Sequence, residues 1–97
     1  MKVIQSDESL VKIAFSGRLD SNYISNNDVK FFALLNGLEA PVVLDFYGVS
    51  FLGSLGLRMI LMALKDVKRQ GYTLKIEHAG PNVKDVFEMT SLGDLLI

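Results

Sequence analysis

Apolar and polar residues alternate in several short stretches of the chain, and this pattern predicts four β-strands. The predicted strands are Val3–Ile4, Leu10–Ser16, Val42–Leu44 and Thr73–His78. Because only a short polar segment around Ser6–Glu8 separates the first two, they predict a β-hairpin. The third follows Pro41 and is apolar at every position, which is typical of a central parallel strand covered by helices. The fourth alternates Leu74 and Ile76 with charged residues, as an edge strand does.

Apolar residues at helical spacing predict three helices between and after these strands. The first is predicted over Asp28–Asn36, after a polar loop at residues 21–27, with its N-cap at Ser25 or Asn26–Asn27. Gly37 follows it as a stop signal. Its inward side chains are predicted to be Val29, Phe32 and Leu35.

The second predicted helix is the longest and covers Leu55–Gln70, with Ser54 as its N-cap and Gly71 at its C-terminal end. Its predicted inward stripe consists of Leu57, Ile60, Leu61, Leu64 and Val67. The third helix is predicted to start at Pro81, because proline is favoured in a first helical turn. Its predicted inward residues are Val83, Val86, Phe87 and Thr90.

These elements follow one another in the order β-β-α-β-α-β-α, which predicts one α/β domain over residues 1–97. Crossovers between parallel strands are almost always right-handed and pack their helices against the sheet. We therefore expect a four-stranded mixed sheet with the two long helices packed on one face.

Composition excludes several function classes. Ten basic and eleven acidic residues give a net charge of −1, without a basic cluster that would indicate nucleic acid or an anionic membrane. The chain has no cysteine and one histidine, so we expect no disulfide, no metal and no cofactor. No apolar run approaches the roughly 18 residues of a membrane-spanning helix, and the N-terminus lacks the apolar stretch of a signal peptide, so we expect neither. We expect a cytoplasmic protein.

The segment Leu44–Leu57 carries the candidate chemistry, because loops beyond the carboxyl ends of strands are common docking sites in α/β sheets. It is predicted to turn at Tyr47–Gly48 and to enter the second helix through Gly53–Gly56. Asp45 is expected to hydrogen-bond the loop that follows its strand. The glycines around Ser54 do not have the spacing of a nucleophile elbow or a phosphate-binding loop, and there is no obvious base for the hydroxyl. We therefore expect no enzymatic activity.

The same segment resembles the signature of the STAS domain family of anti-sigma factor antagonists and sulfate-transporter tails. The matching residues are Asp45, Val49, Phe51, Leu52, Ser54, Gly56 and Leu57. Gly17–Asp20 and Ser91–Ile97 also resemble family segments, and typical members continue with another helix after the second of these. Gly53 stands where the family usually has Asp, and Leu55 is bulkier than the usual residue.

The resemblance implies an anti-sigma factor antagonist in bacterial partner switching. The unmodified protein would bind an anti-sigma factor of the serine kinase type, which would phosphorylate Ser54 and thereby dissociate, and a serine phosphatase would reset the protein. The alternative is a STAS module that docks without phosphorylation, as a scaffold or transport-system subunit, because Gly53 lacks the family's carboxylate. A nucleotide- or small-ligand-binding domain is a third class, without a phosphate-binding motif to support it.

The sequence allows two roles, one structural and one functional, for each candidate residue. Ser54 either only caps the second helix or also accepts a phosphate, which free N–H groups and the helix dipole would stabilise. Asp20 either caps a turn or contacts the partner. Leu55, Met59 and Met62 lie outside the predicted inward stripe and form either core or an exposed strip. The expected partner-binding residues are Asp20, Gly53, Ser54, Leu55, Gly56, Arg58, Met59 and Met62.

Overall fold

The computed structural model describes all residues from Met1 to Ile97, in the predicted order of elements. The strands are β1 (Lys2–Ser6), β2 (Val11–Leu19), β3 (Val42–Leu52) and β4 (Leu74–Glu77), and the helices are α1 (Ser21–Leu34), α2 (Ser54–Arg69) and α3 (Pro81–Met89). A short 3₁₀ turn, Gly93–Leu95, follows the last helix. None of the helices combines the length and apolar composition needed to cross a lipid bilayer.

The four strands form one mixed sheet in the order β1-β2-β3-β4, which confirms the predicted sheet. β1 is antiparallel to β2, whereas β2, β3 and β4 are mutually parallel. β3 is therefore central, as its apolar sequence predicts. β4 is an edge strand as predicted, and the end of the chain lies along its outer side, where the Ile97 N–H donates to the Ile76 carbonyl at 2.9 Å.

The core lies on one face of the sheet, where all three helices pack. Alternate residues of β2 and β3 point into it and are buried. The ring of Phe15 on β2 contacts Phe31 of α1 at 5.3 Å and Phe46 of β3 at 5.8 Å between centroids. Phe46 in turn contacts Phe87 of α3 at 6.2 Å. These rings join two strands and two helices, so the core is continuous across the sheet.

The opposite face of the sheet carries no helix and is partly open to solvent. Val43 points to this face, between its register partners Lys12 on β2 and Lys75 on β4. Val43 is nevertheless half-buried. Since lysine stems cover apolar surface while the ammonium groups stay in water, these two neighbours account for its partial burial.

α1 begins seven residues earlier than predicted, and the expected polar loop forms its first turns. Its N-cap is Asp20, whose Oδ1 accepts the Tyr23 N–H at 3.1 Å, so the predicted caps at Ser25 or Asn26–Asn27 are wrong. The misprediction has a physical cause, because serine and asparagine favour loops by intrinsic propensity. Here the cap and the core contacts of α1 outweigh that preference.

The inward faces of α1 and α2 differ from those predicted. On α1, Leu35 is buried at the C-cap as predicted, but Val29 is 81% exposed and Phe31 is buried instead. The fully buried residues of α2 are Gly56, Met59, Ile60, Ala63 and Val67. The small residues Gly56 and Ala63 let α2 approach the sheet closely. On α3, Val83 and Phe87 are buried as predicted, whereas Thr90 is exposed at the C-cap.

The predicted turn at Tyr47–Gly48 is wrong, because β3 continues as one strand to Leu52. Gly48 lies opposite Ser16 of β2, where the register shifts. A Cβ on Gly48 would approach the Ser16 Cβ to 3.0 Å. The glycine therefore marks a close approach between two strands instead of a chain reversal.

Candidate functional site

The candidate site is centred on the first turn of α2. Gly53 is the N-cap and offers no side-chain hydrogen bond, so Ser54 is the first helical residue and its predicted role as the cap is wrong. The Ser54 side chain is exposed, and its hydroxyl makes no hydrogen bond within the protein. The first N–H groups of a helix have no intrahelical acceptor, so the positive end of α2 is open to solvent.

Close packing fixes this turn to the ends of β2 and β3. A Cβ on Gly56 would come within 2.8 Å of both the Leu19 carbonyl oxygen and the Leu52 Cδ1. The Gly53 N–H also donates to the Leu19 carbonyl, at 3.4 Å. Gly56 is buried by this contact, and its predicted partner-binding role stays a prediction. Its part in the site is to hold Ser54 in place.

Asp20 reaches the site because β2 ends directly beside the first turn of α2. A shallow depression of about 180 Å³ joins the two, and its polar and glycine lining consists of Asp20, Ser21, Gly53 and Ser54. One carboxylate oxygen of Asp20 caps α1, and the other lies 3.9 Å from the Arg18 Nε. Asp20 therefore caps a helix, and partner contact by its second oxygen stays a prediction.

Phe51 forms one border of this depression, and Arg18 packs on its ring. The Arg18 guanidinium carbon lies 4.1 Å from the centroid of the Phe51 ring, a cation–π contact. The same ring borders Gly53, since a Cβ at position 53 would lie 3.0 Å from the Phe51 Cε2. A larger residue at position 53 would require the ring to move. Arg18 and Phe51 are register partners on parallel strands, so sequence alone could not pair them.

The predicted apolar strip on α2 is only partly exposed. Leu55 and Met62 are 47% and 49% exposed, but Met59 is 3% exposed and belongs to the core, which corrects its predicted place on the surface. The exposed pair borders a hollow of about 250 Å³ between α1 and α2. This hollow is lined by Ile24, Asp28 and Phe32 of α1 and by Leu55, Arg58, Met59 and Met62 of α2. Sequence analysis missed the α1 wall because it placed Ile24 in a loop.

A second polar cluster lies on the open face of the sheet. Asp45 Oδ1 accepts the Tyr47 N–H at 2.9 Å and lies 3.0 Å from the His78 Nδ1. Asp45 therefore contacts its own strand and the residue after β4, and not a loop that follows β3. Burial alone would raise the pKa of Asp45, but these contacts and the nearby Lys12 hold it below its ordinary value. Asp45 precedes the end of β3 by seven residues, about 20 Å, and is thus remote from Ser54.

This cluster contains potential metal ligands, because donor atoms of Asp45, Glu77 and His78 lie within 4.8 Å of one another. Glu77 is already ion-paired with Lys12, and this contact raises the pKa of the lysine. The arrangement is therefore a network of ion pairs and hydrogen bonds that links β2, β3 and β4. Sequence alternation alone marks these residues as outward-facing. Which of them are neighbours follows only from the strand register, which the sequence does not give.

Comparison with known proteins identifies the family of this chain. The STAS domain family model matches residues 2–96. The fold is similar to that of the anti-sigma factor antagonist SpoIIAA in its unphosphorylated form, with a TM-score of 0.86 and 18% identity over 99% of this chain and 84% of that one. It is also similar to the Bacillus cell fate determinant SpoIIAA in the phosphorylated form, with a TM-score of 0.80 and 18% identity over 99% and 87% of the two chains.

No match was found among curated protein sequences. At 18% identity, the likeness to solved structures shows the α/β fold alone. The family match rests on sequence and covers nearly the whole chain. The protein therefore belongs to the STAS domain family.

Proposed function

We propose that this STAS domain is an anti-sigma factor antagonist that docks its partner on the first turn of α2 and the hollow beside it. The observation that carries the proposal is Ser54, an exposed hydroxyl without a hydrogen bond at an uncapped helix N-terminus. The likeness to SpoIIAA, which is itself an anti-sigma factor antagonist, supports the same function. The protein would act in the cytoplasm as a binding protein and not as an enzyme.

In the unmodified state this surface combines a neutral hydroxyl with exposed apolar side chains. Leu55 and Met62 offer apolar area, and Arg58 and Asp20 offer charges at the border. Exposed apolar surface rimmed by polar residues is typical of protein interaction sites. An anti-sigma factor bound there would be unable to hold its sigma factor.

Phosphorylation would reverse this binding. We propose that the partner is an anti-sigma factor of the serine kinase type, which transfers the γ-phosphoryl group of ATP to the Ser54 oxygen and releases ADP. The phosphate would add about −1.5 to −2 charges, and the free N–H groups of the α2 N-terminus would stabilise them. The same charge would have to be desolvated beside Leu55 to keep the partner bound, so the complex would dissociate. A serine phosphatase would reset the protein.

The residue at position 53 should influence the rate at which Ser54 is phosphorylated. It provides no carboxylate beside Ser54, so we expect slow phosphorylation, and Gly53→Asp should accelerate it. An aspartate there must displace the Phe51 ring, which a Cβ would approach to 3.0 Å. Gly53→Asn is the matched control, because it imposes the same displacement without the charge.

The test uses purified ATP-hydrolysing anti-sigma factors from the same organism. Mass spectrometry after incubation with ATP should find one phosphate on the wild-type chain and none on Ser54→Ala. In calorimetry, Ser54→Asp should weaken binding, whereas Ser54→Ala should bind like the wild type, because its hydroxyl has no hydrogen bond or cap to lose.

The possible results separate the alternatives. If an anti-sigma factor binds both the wild type and Gly53→Asp but phosphorylates neither, the result would favour a STAS module that docks constitutively as a scaffold or transport-system subunit. Phosphorylation that is stoichiometric in the wild type and unchanged in Gly53→Asp would show that the missing carboxylate is dispensable. The proposed function is wrong if none of these anti-sigma factors binds.

A further inference from the structure

The hollow beside Ser54 is one end of a longer groove between α1 and α2. A second hollow, of about 660 Å³, lies between the C-terminal halves of the same two helices. Phe32 lines both hollows, so they lie next to each other along the two helices, and we call them together the α1/α2 groove. Only its first end touches the residues of the Ser54 site, and the rest extends beyond that site.

Exposed apolar side chains follow this groove on both of its walls. Leu55 and Met62 lie two helical turns apart on α2, and the strongly exposed Val29 lies on the α1 wall. Between them, the partly buried Phe32 and the buried Met59 form the floor. An apolar floor with spaced apolar walls is the form of surface that receives the apolar face of a helix.

The charges on the α2 side of the groove are mainly positive, although the whole chain has a net charge of −1. The charged residues that line the two hollows are Asp28, Arg58, Asp66 and Arg69, and the exposed Lys65 lies one helical turn beyond Met62 on α2. Arg69 and Asp66 pair with each other at 2.6 Å and so cancel. Arg58 and Lys65 have no ion-pair partner, and both flank the exposed Met62 at helical spacing. The α2 rim therefore presents unpaired positive charge to whatever binds there.

The length of the groove sets the size of its occupant. Leu55 and Arg69 are fourteen residues apart on α2, which corresponds to about 21 Å, or a partner helix of about 14 residues. We propose that the α1/α2 groove binds an amphipathic helix of the anti-sigma factor, with acidic residues on the flank that faces Arg58 and Lys65. This proposal rests on the proposed function, because that function supplies the partner.

The experiment compares groove variants with matched variants on α3. Met62→Asp introduces a charge on the apolar wall, and Met89→Asp makes the same change at a residue that is 84% exposed outside the groove. Lys65→Glu reverses a charge on the rim, and Lys84→Glu does so on α3, where the lysine is likewise exposed and unpaired. Each protein is titrated calorimetrically with the purified anti-sigma factor, after its melting temperature is shown to match the wild type.

We expect Met62→Asp to weaken binding by about tenfold or more, as for a central apolar contact of an interface. Lys65→Glu should weaken it by about three- to tenfold, with a smaller salt dependence than the wild type. Both α3 variants should bind within about twofold of the wild type, as expected for residues outside an interface. Hydrogen exchange of the anti-sigma factor should show protection of one helical, acidic segment in the complex.

The outcomes distinguish this proposal from the function on which it rests. If Ser54→Asp weakens binding while both groove variants behave like their α3 controls, the groove is not the interface, and the proposed function stands with docking confined to the first turn of α2. Protection of a loop or of a basic segment in the anti-sigma factor would likewise overturn the groove proposal. If the wild type binds no anti-sigma factor, the proposed function fails and this proposal fails with it.

Discussion

Replacing Gly56 by alanine should destabilise the protein, because this residue lies where α2 touches the end of β2. The new Cβ would lie 2.8 Å from the Leu19 carbonyl oxygen, 2.8 Å from the Leu52 Cδ1 and 3.1 Å from the Leu19 Cβ. Leu19 is fully buried, so its backbone cannot move away without disturbing the core. The start of α2 would have to shift outward instead.

The size of the effect follows from two opposed contributions. Forcing a methyl group into a packed contact costs about 1–3 kcal/mol of the free energy of unfolding. Alanine favours a helix interior over glycine by up to about 1 kcal/mol, and less in a first turn. We therefore expect a net loss of about 1–2 kcal/mol, which for a domain of this size lowers the melting temperature by about 4–16 °C.

Thermal unfolding followed by circular dichroism measures this change, with urea unfolding as a second determination. Gly93→Ala is the matched control, because its added methyl group would meet only the Glu88 side chain at an ordinary 3.7 Å. The control should stay close to the wild type. A Gly56→Ala protein as stable as the wild type would refute the argument, because it would mean that the first turn of α2 moves freely against β2.

Three further predictions follow from side-chain contacts. Asp20→Ala should lose about 1 kcal/mol of stability with the α1 cap, whereas Asp20→Asn should keep the cap, and equal melting temperatures for the two variants would contradict this role. Gln70→Ala should lose about 1–2 kcal/mol in urea unfolding, because its amide bonds the Leu35 carbonyl at 2.7 Å, and an unchanged midpoint would show that water replaces this bond. The Asp7 carboxyl should titrate by NMR with a pKa of about 2, chiefly because the Ser9 hydroxyl bonds it, and Ser9→Ala should move this pKa toward 3.8. Since the folded pKa is the lower one, the stability from Asp7 is present above pH 3.8 and is lost as the pH falls toward 2.

The sequence predicted the sheet because its strands alternate clearly or are wholly apolar. It failed at the start of α1, where Ser21 and Asn22 have the local preferences of a loop and only the Asp20 cap and the tertiary contacts favour a helix. The turn predicted at Gly48 was also wrong. From a single sequence, a glycine in a turn cannot be distinguished from a glycine at a close approach of two strands.

The candidate site was predicted in part for similar reasons. The position of Ser54 at the start of α2 followed from the glycines and the apolar pattern, within one residue of its true place in the helix. Met59 was placed on the surface because almost every face of α2 carries apolar residues, so periodicity could not choose the inward one. The choice depends on Gly56 and Ala63, whose small side chains turn that face toward the sheet.

The parallel pairing of β2 with β3 has a consequence for synthesis on the ribosome. Val11 pairs with Val42, 31 residues later, so β2 has no central partner until that later segment emerges. At elongation rates of about 5–20 residues per second this delay is about 2–6 s, far longer than a hairpin needs to form. During that interval the β1–β2 hairpin exposes Phe15 and its apolar neighbours, which is surface that a chaperone can bind. In pulse-labelled refolding, the β2 amides that bond to β3 should gain their protection together with those of β3, and not before them.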